Sequence, residues 1–442
     1  MLESGMALRI TPRLIAPALL LIAAACAPAR NAPPPAAPPA PPAPAPAPAP
    51  PPPAVSGDAA FQDFIRDFEA TALAAGITAE TYNRAMTGIA PVTTIQQAID
   101  NQPEFNRQVW SYLDTAVSAR RIANAKTMLA RYGDTLSTIE SKNGVPKEIL
   151  VAIWGMETDY GASIGSYNLF ATLATQAWQG SRQQYAKNEL LAALKLLSQE
   201  NYPVPQMVAS WAGAFGQTQF MPTTFFKYAA DGDGDGKIDL WRSAPDALAS
   251  TAVMFVREGW QTGKPWGYEV TLPRNFDVGL ADMDDRKPLS DWAAMGVQTA
   301  SGAALPAGSD PASLYLPGGA RGPAFILFDN FRVIMRYNNS ASYALAVGVL
   351  ADRMAGGGIF VAKWPREERA LSRDERTQFQ TNLKLLGYDP GEPDGVLGRR
   401  TRSALKQYQK TKNLPADGFP TAALLTALMN DAQSAPANSA SR

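Results

Sequence analysis

Apolar residues recur at the three-and-four spacing of helices through most of this chain. Phe61, Phe64, Ile65 and Phe68 set the first stripe, which continues through 70–77 to a Gly-Ile-Thr turn. Helices are expected over 106–132 and 135–143, then over 145–161. Another is expected over 181–199, with Tyr185, Leu190, Leu194 and Leu197 on its apolar side. Helical periodicity dominates to about Glu258. Beyond it Gly and Pro punctuate short strand-like runs at 268–272, 313–316 and 324–328, which predicts a small β-containing subdomain. A helix over 342–354 closes this unit, and the glycines at 356–358 end it. From about Glu368 to Asn430, helices at 377–385, 401–411 and 421–428 alternate with loop and turn. That unit is near the lower size limit for independent folding. The expected fold class is mainly α (α+β).

The stretch 145–161, VPKEILVAIWGMETDYG, changes this picture from packing to chemistry. Pro146 suits a helix start and Gly161 a left-handed cap. Ile149, Ile153 and Glu157 fall on one face, widened by Leu150 and Trp154, so a carboxylate ends a stripe of core character. Desolvation and the negative end of the helix both favour the protonated form of such a group, and a protonated carboxyl is a general acid. A helix-end glutamate turned to solvent satisfies the same pattern.

Three further stretches carry polar chemistry. In SWAGAFGQTQFMPTTF, 210–225, the small residues Ala212, Gly213, Ala214 and Gly216 allow close backbone approach to a ligand or to a neighbour. Gln217, Thr218 and Gln219 offer uncharged hydrogen-bonding groups there, and Trp211 and Phe220 apolar faces. In RYNNSASYALAVG, Tyr337, Asn338 and Tyr343 precede or open an apolar helix; Asn338 fits a sugar contact, an N-cap or a turn. In DGDGDGKIDLW, Asp231, Asp233, Asp235 and the Lys237 carbonyl fill positions 1, 3, 5 and 7 of an EF-hand-like loop, with Gly236 at position 6. Position 12 is Arg242 instead of the usual Glu, and Asp246 is the replacement within reach.

Composition removes several alternatives. The 442 residues hold 40 Lys+Arg against 40 Asp+Glu, so no nucleic-acid partner is indicated. There is no histidine, which excludes Ser-His and Cys-His nucleophile systems and histidine-bound zinc. Cys26 is the single cysteine, so no intrachain disulfide forms. It follows a basic segment with Arg9 and Arg13, an apolar run over 14–25 and the small residues Ala23, Ala24 and Ala25. This resembles a bacterial lipoprotein signal, 1–26, with Cys26 as the lipidated residue. The departure is Ala23, where such signals usually carry leucine. Residues 28–54 are almost entirely proline and alanine, so 27–56 is expected to be a stiff polyproline spacer. A catalytic domain is expected at 57–363, a second module at 364–432, and a tail without regular structure at 433–442.

Together GMETDYG, SWAGAFGQTQFMP, the DGDGDGKIDLW loop and RYNNSASYALAVG, in that order, resemble the lytic murein transglycosylase B family over about residues 57–363. The segments LGYDPGEPDGVLGRRT and LPADGFPT resemble a three-helix peptidoglycan-binding domain. The resemblance implies a lysozyme-like fold that cleaves the bond between N-acetylmuramic acid and N-acetylglucosamine without consuming water. It implies Glu157 as the catalytic acid and Tyr112, Arg182, Ser210, Gln219, Phe220, Tyr337, Asn338 and Tyr343 as substrate-binding residues. Calcium, held by Asp231, Asp233, Asp235, Lys237 and Asp246, is the implied structural cation, with no organic cofactor. The implied partners are glycan strands, a membrane reached through the lipid anchor, and cell-wall synthases. The implied location is the periplasm, at the outer membrane. Asp159 is the acidic neighbour of Glu157 in sequence. If it is excluded from the chemistry, one acid must serve both steps.

Overall fold

The computed structural model describes residues 59–95, 107–200 and 202–434. Cys26, the expected signal and the proline-rich spacer lie outside them. Helices α1 (Ala59–Ala74), α2 (Ala79–Met86), α3 (Val109–Ala116), α4 (Ala119–Arg131), α5 (Gly133–Asn143) and α6 (Lys147–Thr158) come first. The single helix expected over 106–132 is two, because Ser118 accepts from Arg121 N at 3.3 Å and caps a new start at α4. Strand β1 (Tyr167–Asn168) leads into α7 (Leu169–Gln179) and α8 (Gln183–Glu200). Next come β2 (Val208–Ala209), α9 (Pro222–Tyr228) and α10 (Ala244–Arg257). Leu190, Leu194 and Leu197 of α8 are buried as expected, but Tyr185 is 46% exposed.

The β subdomain contains β3 (Gly267–Thr271), β4 (Lys287–Pro288), α11 (Leu289–Ala294), β5 (Gln298–Thr299), β6 (Pro311–Tyr315) and β7 (Ala324–Leu327). Its sheet has the order β4-β6-β7-β3-β5 with antiparallel neighbours, and packs around Trp292, Leu314 and Ile326. Helices α12 (Asp329–Tyr337) and α13 (Ala341–Met354) return to the helical body. The C-terminal module consists of α14 (Arg373–Leu385), α15 (Arg399–Thr411) and α16 (Ala422–Ser434), around Phe379, Leu405, Tyr408 and Leu428. Helix α16 runs two residues into the stretch expected as tail.

Every residue from Ile149 to Gly155 in α6 is buried. A helix apolar on all sides must be enclosed, and α4, α5, α10 and α13 enclose this one. The helical body holds two apolar cores. One gathers around α6, α10 and α13; the other gathers around α1, α2, α7, α8 and the loops after β2. Tyr337 packs against both. The seam between the cores is where the polar motifs meet.

In the C-terminal module each Asp-Gly turn is fixed by a glutamine. Gln380 donates to Asp394 Oδ1 at 3.1 Å and accepts from Gly395 N at 2.8 Å; Gln409 does the same for Asp417 and Gly418, at 2.7 and 2.8 Å. The module rests on the rest of the chain through Phe419 on Trp110, ring centroids 6.4 Å apart, and through Ala320 N donating to Asp417 Oδ2 at 2.8 Å.

Candidate active site

Helix α6 ends at Thr158, earlier than the Gly161 cap expected from sequence. Asp159, at φ 49°, is the C-cap; Tyr160 (φ 64°) and Gly161 (φ 82°) continue in the left-handed region. Two contacts hold this unusual turn. Tyr160 folds back so that its ring lies 2.6 Å from where a Cβ on Gly155 would stand, and its hydroxyl donates to Arg121 O at 2.9 Å. Thr158, fully buried, donates its hydroxyl to Gln217 O at 2.6 Å and accepts from Gly161 N at 2.9 Å. Thr158 thereby ties the end of the glutamate helix to the Ser210–Phe225 motif. Its place beside Glu157 in GMETDYG was the signal, and sequence reasoning passed over it.

Glu157 is half-buried at the seam. The Tyr343 hydroxyl donates to its Oε1 at 2.5 Å. Burial and then the Glu157 carboxylate push the Tyr343 phenol well above its ordinary value, so it stays a proton donor; Tyr112 stands close enough to add to the effect. Burial and Glu157 act in the same direction on Tyr337, whose hydroxyl donates to Thr218 O. Asp159 faces elsewhere: Arg120 Nη1 lies 3.2 Å from its Oδ2, and Arg121 Nε 4.0 Å from its Oδ1.

The loop after β2 carries the second motif. Phe215 and Phe220 exchange backbone hydrogen bonds of 2.8 and 2.9 Å, closing a tight turn with Gln219 at φ 53°. The small residues meet neighbours: a Cβ on Gly216 would sit 2.7 Å from Leu240 O, which requires glycine there. Gln217 and Thr218 are buried. Gln219 is half-buried, its Nε2 donating to Ile164 O at 3.2 Å and Gly216 O at 3.0 Å. Phe220 is buried with its ring 6.2 Å from that of Tyr337. Ser210 N donates to Ala214 O at 2.7 Å. Asn338 is the C-cap of α12, and its carbonyl accepts from Ser340 N at 2.7 Å. Ser340, whose hydroxyl accepts from Tyr343 N at 3.3 Å, is the N-cap of α13. Glu157, Tyr112, Tyr337 and Tyr343 are thus gathered together, with Gln219 and Phe220 brought alongside through Tyr337 and Thr218. Arg182 is different: it is exposed just before α8, its carbonyl accepting from Ala186 N at 3.0 Å and its side chain acting on Tyr185.

In the acidic loop, oxygens of Asp231, Asp233 and Asp246 all lie within 4.8 Å of one another. Calcium sits about 2.3–2.6 Å from its oxygens, so ligands around one ion are at most about 5 Å apart, and this trio fits. Asp246, only 1% exposed, accepts from Gly232 N at 2.8 Å and from Asp239 N at 2.7 Å, and reaches the loop from α10. Arg242 is exposed. Asp235 is outside the trio, its Oδ1 accepting from Lys237 N at 2.8 Å.

The transglycosylase SLT domain model matches residues 60–352, and a peptidoglycan binding domain model matches 372–428. The chain belongs to the transglycosylase SLT domain family. It is 30% identical over 287 residues to the membrane-bound lytic murein transglycosylase B of Escherichia coli (strain K12), covering 62% of this chain and 73% of that one. The crystal structure of SltB3 from Pseudomonas aeruginosa in complex with NAG-anhNAM-pentapeptide is 47% identical, with a TM-score of 0.82. The match covers 84% of this chain and 100% of SltB3. The Escherichia coli lytic transglycosylase Slt35 in complex with calcium is 28% identical with a TM-score of 0.59, covering 68% of this chain and 95% of Slt35. The family fold is thus mainly helical with a small sheet, as the sequence predicts, and its matched region coincides with the two cores whose seam holds Glu157.

Proposed function

We propose that this chain is a lytic transglycosylase that cleaves the β-1,4 bond between N-acetylmuramic acid and N-acetylglucosamine in peptidoglycan, leaving 1,6-anhydro ends. The observation that carries the one-acid mechanism is the partnering around Glu157. Its Oε1 accepts a hydrogen bond from the Tyr343 hydroxyl, while the neighbouring Asp159 is paired with Arg120 and Arg121. A two-carboxylate glycosidase needs its second group about 5–9.5 Å from the first and aimed at the same sugar. Asp159, held by two guanidiniums, does not serve.

Protonated Glu157 gives its proton to the leaving glycosidic oxygen as the bond to C1 breaks. The resulting carboxylate then takes the proton from the muramic C6 hydroxyl as that oxygen bonds to C1. Proton and electrons balance without water. The Tyr343 phenol, fixed on Oε1, orients Oε2 toward the sugar. Gln219 has its amide nitrogen occupied by two carbonyls, so its Oε1 is the group that accepts from a sugar N–H or hydroxyl. Tyr112, Arg182, Ser210, Phe220, Tyr337 and Asn338 complete the proposed binding set.

Calcium fits the acidic loop as a structural cation, held by Asp231, Asp233 and Asp246, with Asp235 and the Lys237 carbonyl beside them. It would pin the loop to the start of α10, which supports the core beneath Tyr337. The C-terminal module holds the enzyme on the wall, and the lipid on Cys26 holds it at the outer membrane, facing the periplasm. Purified protein incubated with isolated sacculi tests the reaction: mass spectrometry should find fragments lighter by one water than hydrolytic products. Ordinary reducing ends would make the enzyme a hydrolytic muramidase instead.

A further inference from the structure

We infer that the chain beyond the transglycosylase SLT match reaches back to complete the active site: Trp364, Arg366 and Phe419 are positioning residues that clasp α3 and set Tyr112 beside Tyr343. This deepens the peptidoglycan reading above and rests on it. Helix α3 does not hold itself. It has eight residues, and Gln108 at its N-cap makes no side-chain capping bond; isolated helices shorter than about 12–15 residues are marginal in water. Its place is therefore set by what grips its two faces.

The inner face carries Val109, Tyr112, Leu113 and Ala116, which recur at helical spacing and pack into the core around α6, α10 and α13. Helix α3 lies directly against α13, and Tyr112 acts electrostatically on the Tyr343 phenol that donates to Glu157. At the end of α3, Ala116 O accepts from Arg121 Nη1 at 3.0 Å, and the same nitrogen stands 3.8 Å from Met156 Sδ, next to Glu157 in the chain. The outer face carries Trp110 and Asp114, one turn apart. Trp110 is only 4% exposed, with the rings of Trp364 and Phe419 at centroid distances of 6.0 and 6.4 Å. Asp114 is gripped by both terminal nitrogens of Arg366, at 2.6 and 2.9 Å, and Gln108 Nε2 donates to Arg369 O at 3.0 Å. An exposed ion pair adds little by itself, so the rings buried on Trp110 are the main hold. These grips come from residues 364–369 and 419, whereas the transglycosylase SLT match ends at 352. The strap that carries most of them, residues 360–369, is itself anchored. Glu269 of β3 accepts from Val361 N and Ala362 N, both at 2.8 Å, and Phe360 meets Phe325 and Trp364 edge-on at 5.7 and 5.5 Å. At its far end Arg369 Nη1 donates to Glu375 Oε2 at 2.7 Å, in the first turn of α14. A continuous path of contacts therefore runs from the C-terminal module to Tyr112.

The test measures kcat and KM for release of chain ends from soluble glycan strands by the full chain. Phe419→Ala should lower kcat about tenfold, because a displaced Tyr112 no longer backs the phenol that orients Glu157. Arg366→Asp, at an exposed position, should lower it roughly threefold, and Asp114→Arg combined with Arg366→Asp should recover most of that loss. The deciding arm repeats Phe419→Ala and Arg366→Asp in a Tyr112→Ala background, where neither should cost more than about twofold further. Equal losses with and without Tyr112, or an unchanged kcat in Phe419→Ala, overturn the positioning role. A loss confined to KM overturns it too and assigns Phe419 to wall binding. Should Phe419→Ala fail to fold, the charge swap and its Tyr112→Ala arm decide alone. Wild type releasing no ends removes the peptidoglycan reading and this inference with it, whereas the other failures remove this inference only.

Discussion

Glu157 shows how one residue's role is set by partners that the sequence keeps far apart. Tyr343 is 186 positions away, yet its hydroxyl makes a 2.5 Å contact to the carboxylate. Glu157→Gln removes the transferable proton while keeping shape. Release of anhydro fragments should then fall on the order of hundreds-fold or more, and near-normal turnover would remove Glu157 from the chemistry. Tyr343→Phe removes only the donor that orients the acid, so the expected loss is smaller, about tenfold and in kcat more than in KM. That ranking, acid above phenol, is what steady-state kinetics on the two variants should return. The place of Glu157 at the end of an apolar helical stripe was legible, because the register of α6 is a local property of the sequence. The exclusion of Asp159 was not: only folding brings Arg120 and Arg121 from α4 against it.

At the scale of elements, the acidic loop after α9 gains its closing carboxylate from the first turn of α10. Asp246 sits there because Ser243 caps the helix, its hydroxyl accepting from Asp246 N at 3.2 Å and donating to Asp233 Oδ2 at 2.8 Å. Calcium added to cation-free protein should raise the melting temperature, since an ion bound only by the folded state stabilises it by mass action. Asp233→Asn should abolish most of that shift. Asp235→Ala should reduce it less, because Asp235 is outside the close trio. A wild type indifferent to calcium would retire the loop as a metal site. Elements with clear periodicity and caps were readable in advance: α13 and α15 lie close to their expected spans, while α14 starts four residues earlier and α16 ends six residues later than expected. Helices α7 and α10 escaped. Leu169–Thr175 is a continuous buried run, and Ala247–Ala252 is another, so neither shows the alternation that betrays an amphipathic helix.

Across the described part of the molecule, a catalytic body carries the C-terminal module docked on it. Radiolabelled palmitate should mark the wild type and leave Cys26→Ala unlabelled; equal labelling would remove the anchor. The docking of the module, through Phe419 on Trp110 and Lys406 Nζ on Gly279 O at 3.2 Å, had no counterpart in the sequence motifs. Taken alone, the sequence determined the helical class with its small sheet, the transglycosylase family and the positions of Asp231 and Asp233 in the acidic loop, because periodicity, capping and motif spacing are local and survive in one dimension. The tertiary structure decided which carboxylate receives the Tyr343 hydroxyl, which is held by arginines, and which completes the trio in the acidic loop. Those outcomes depend on through-space distances between segments far apart in the chain, and burial against a shared core, not proximity in sequence, sets such distances.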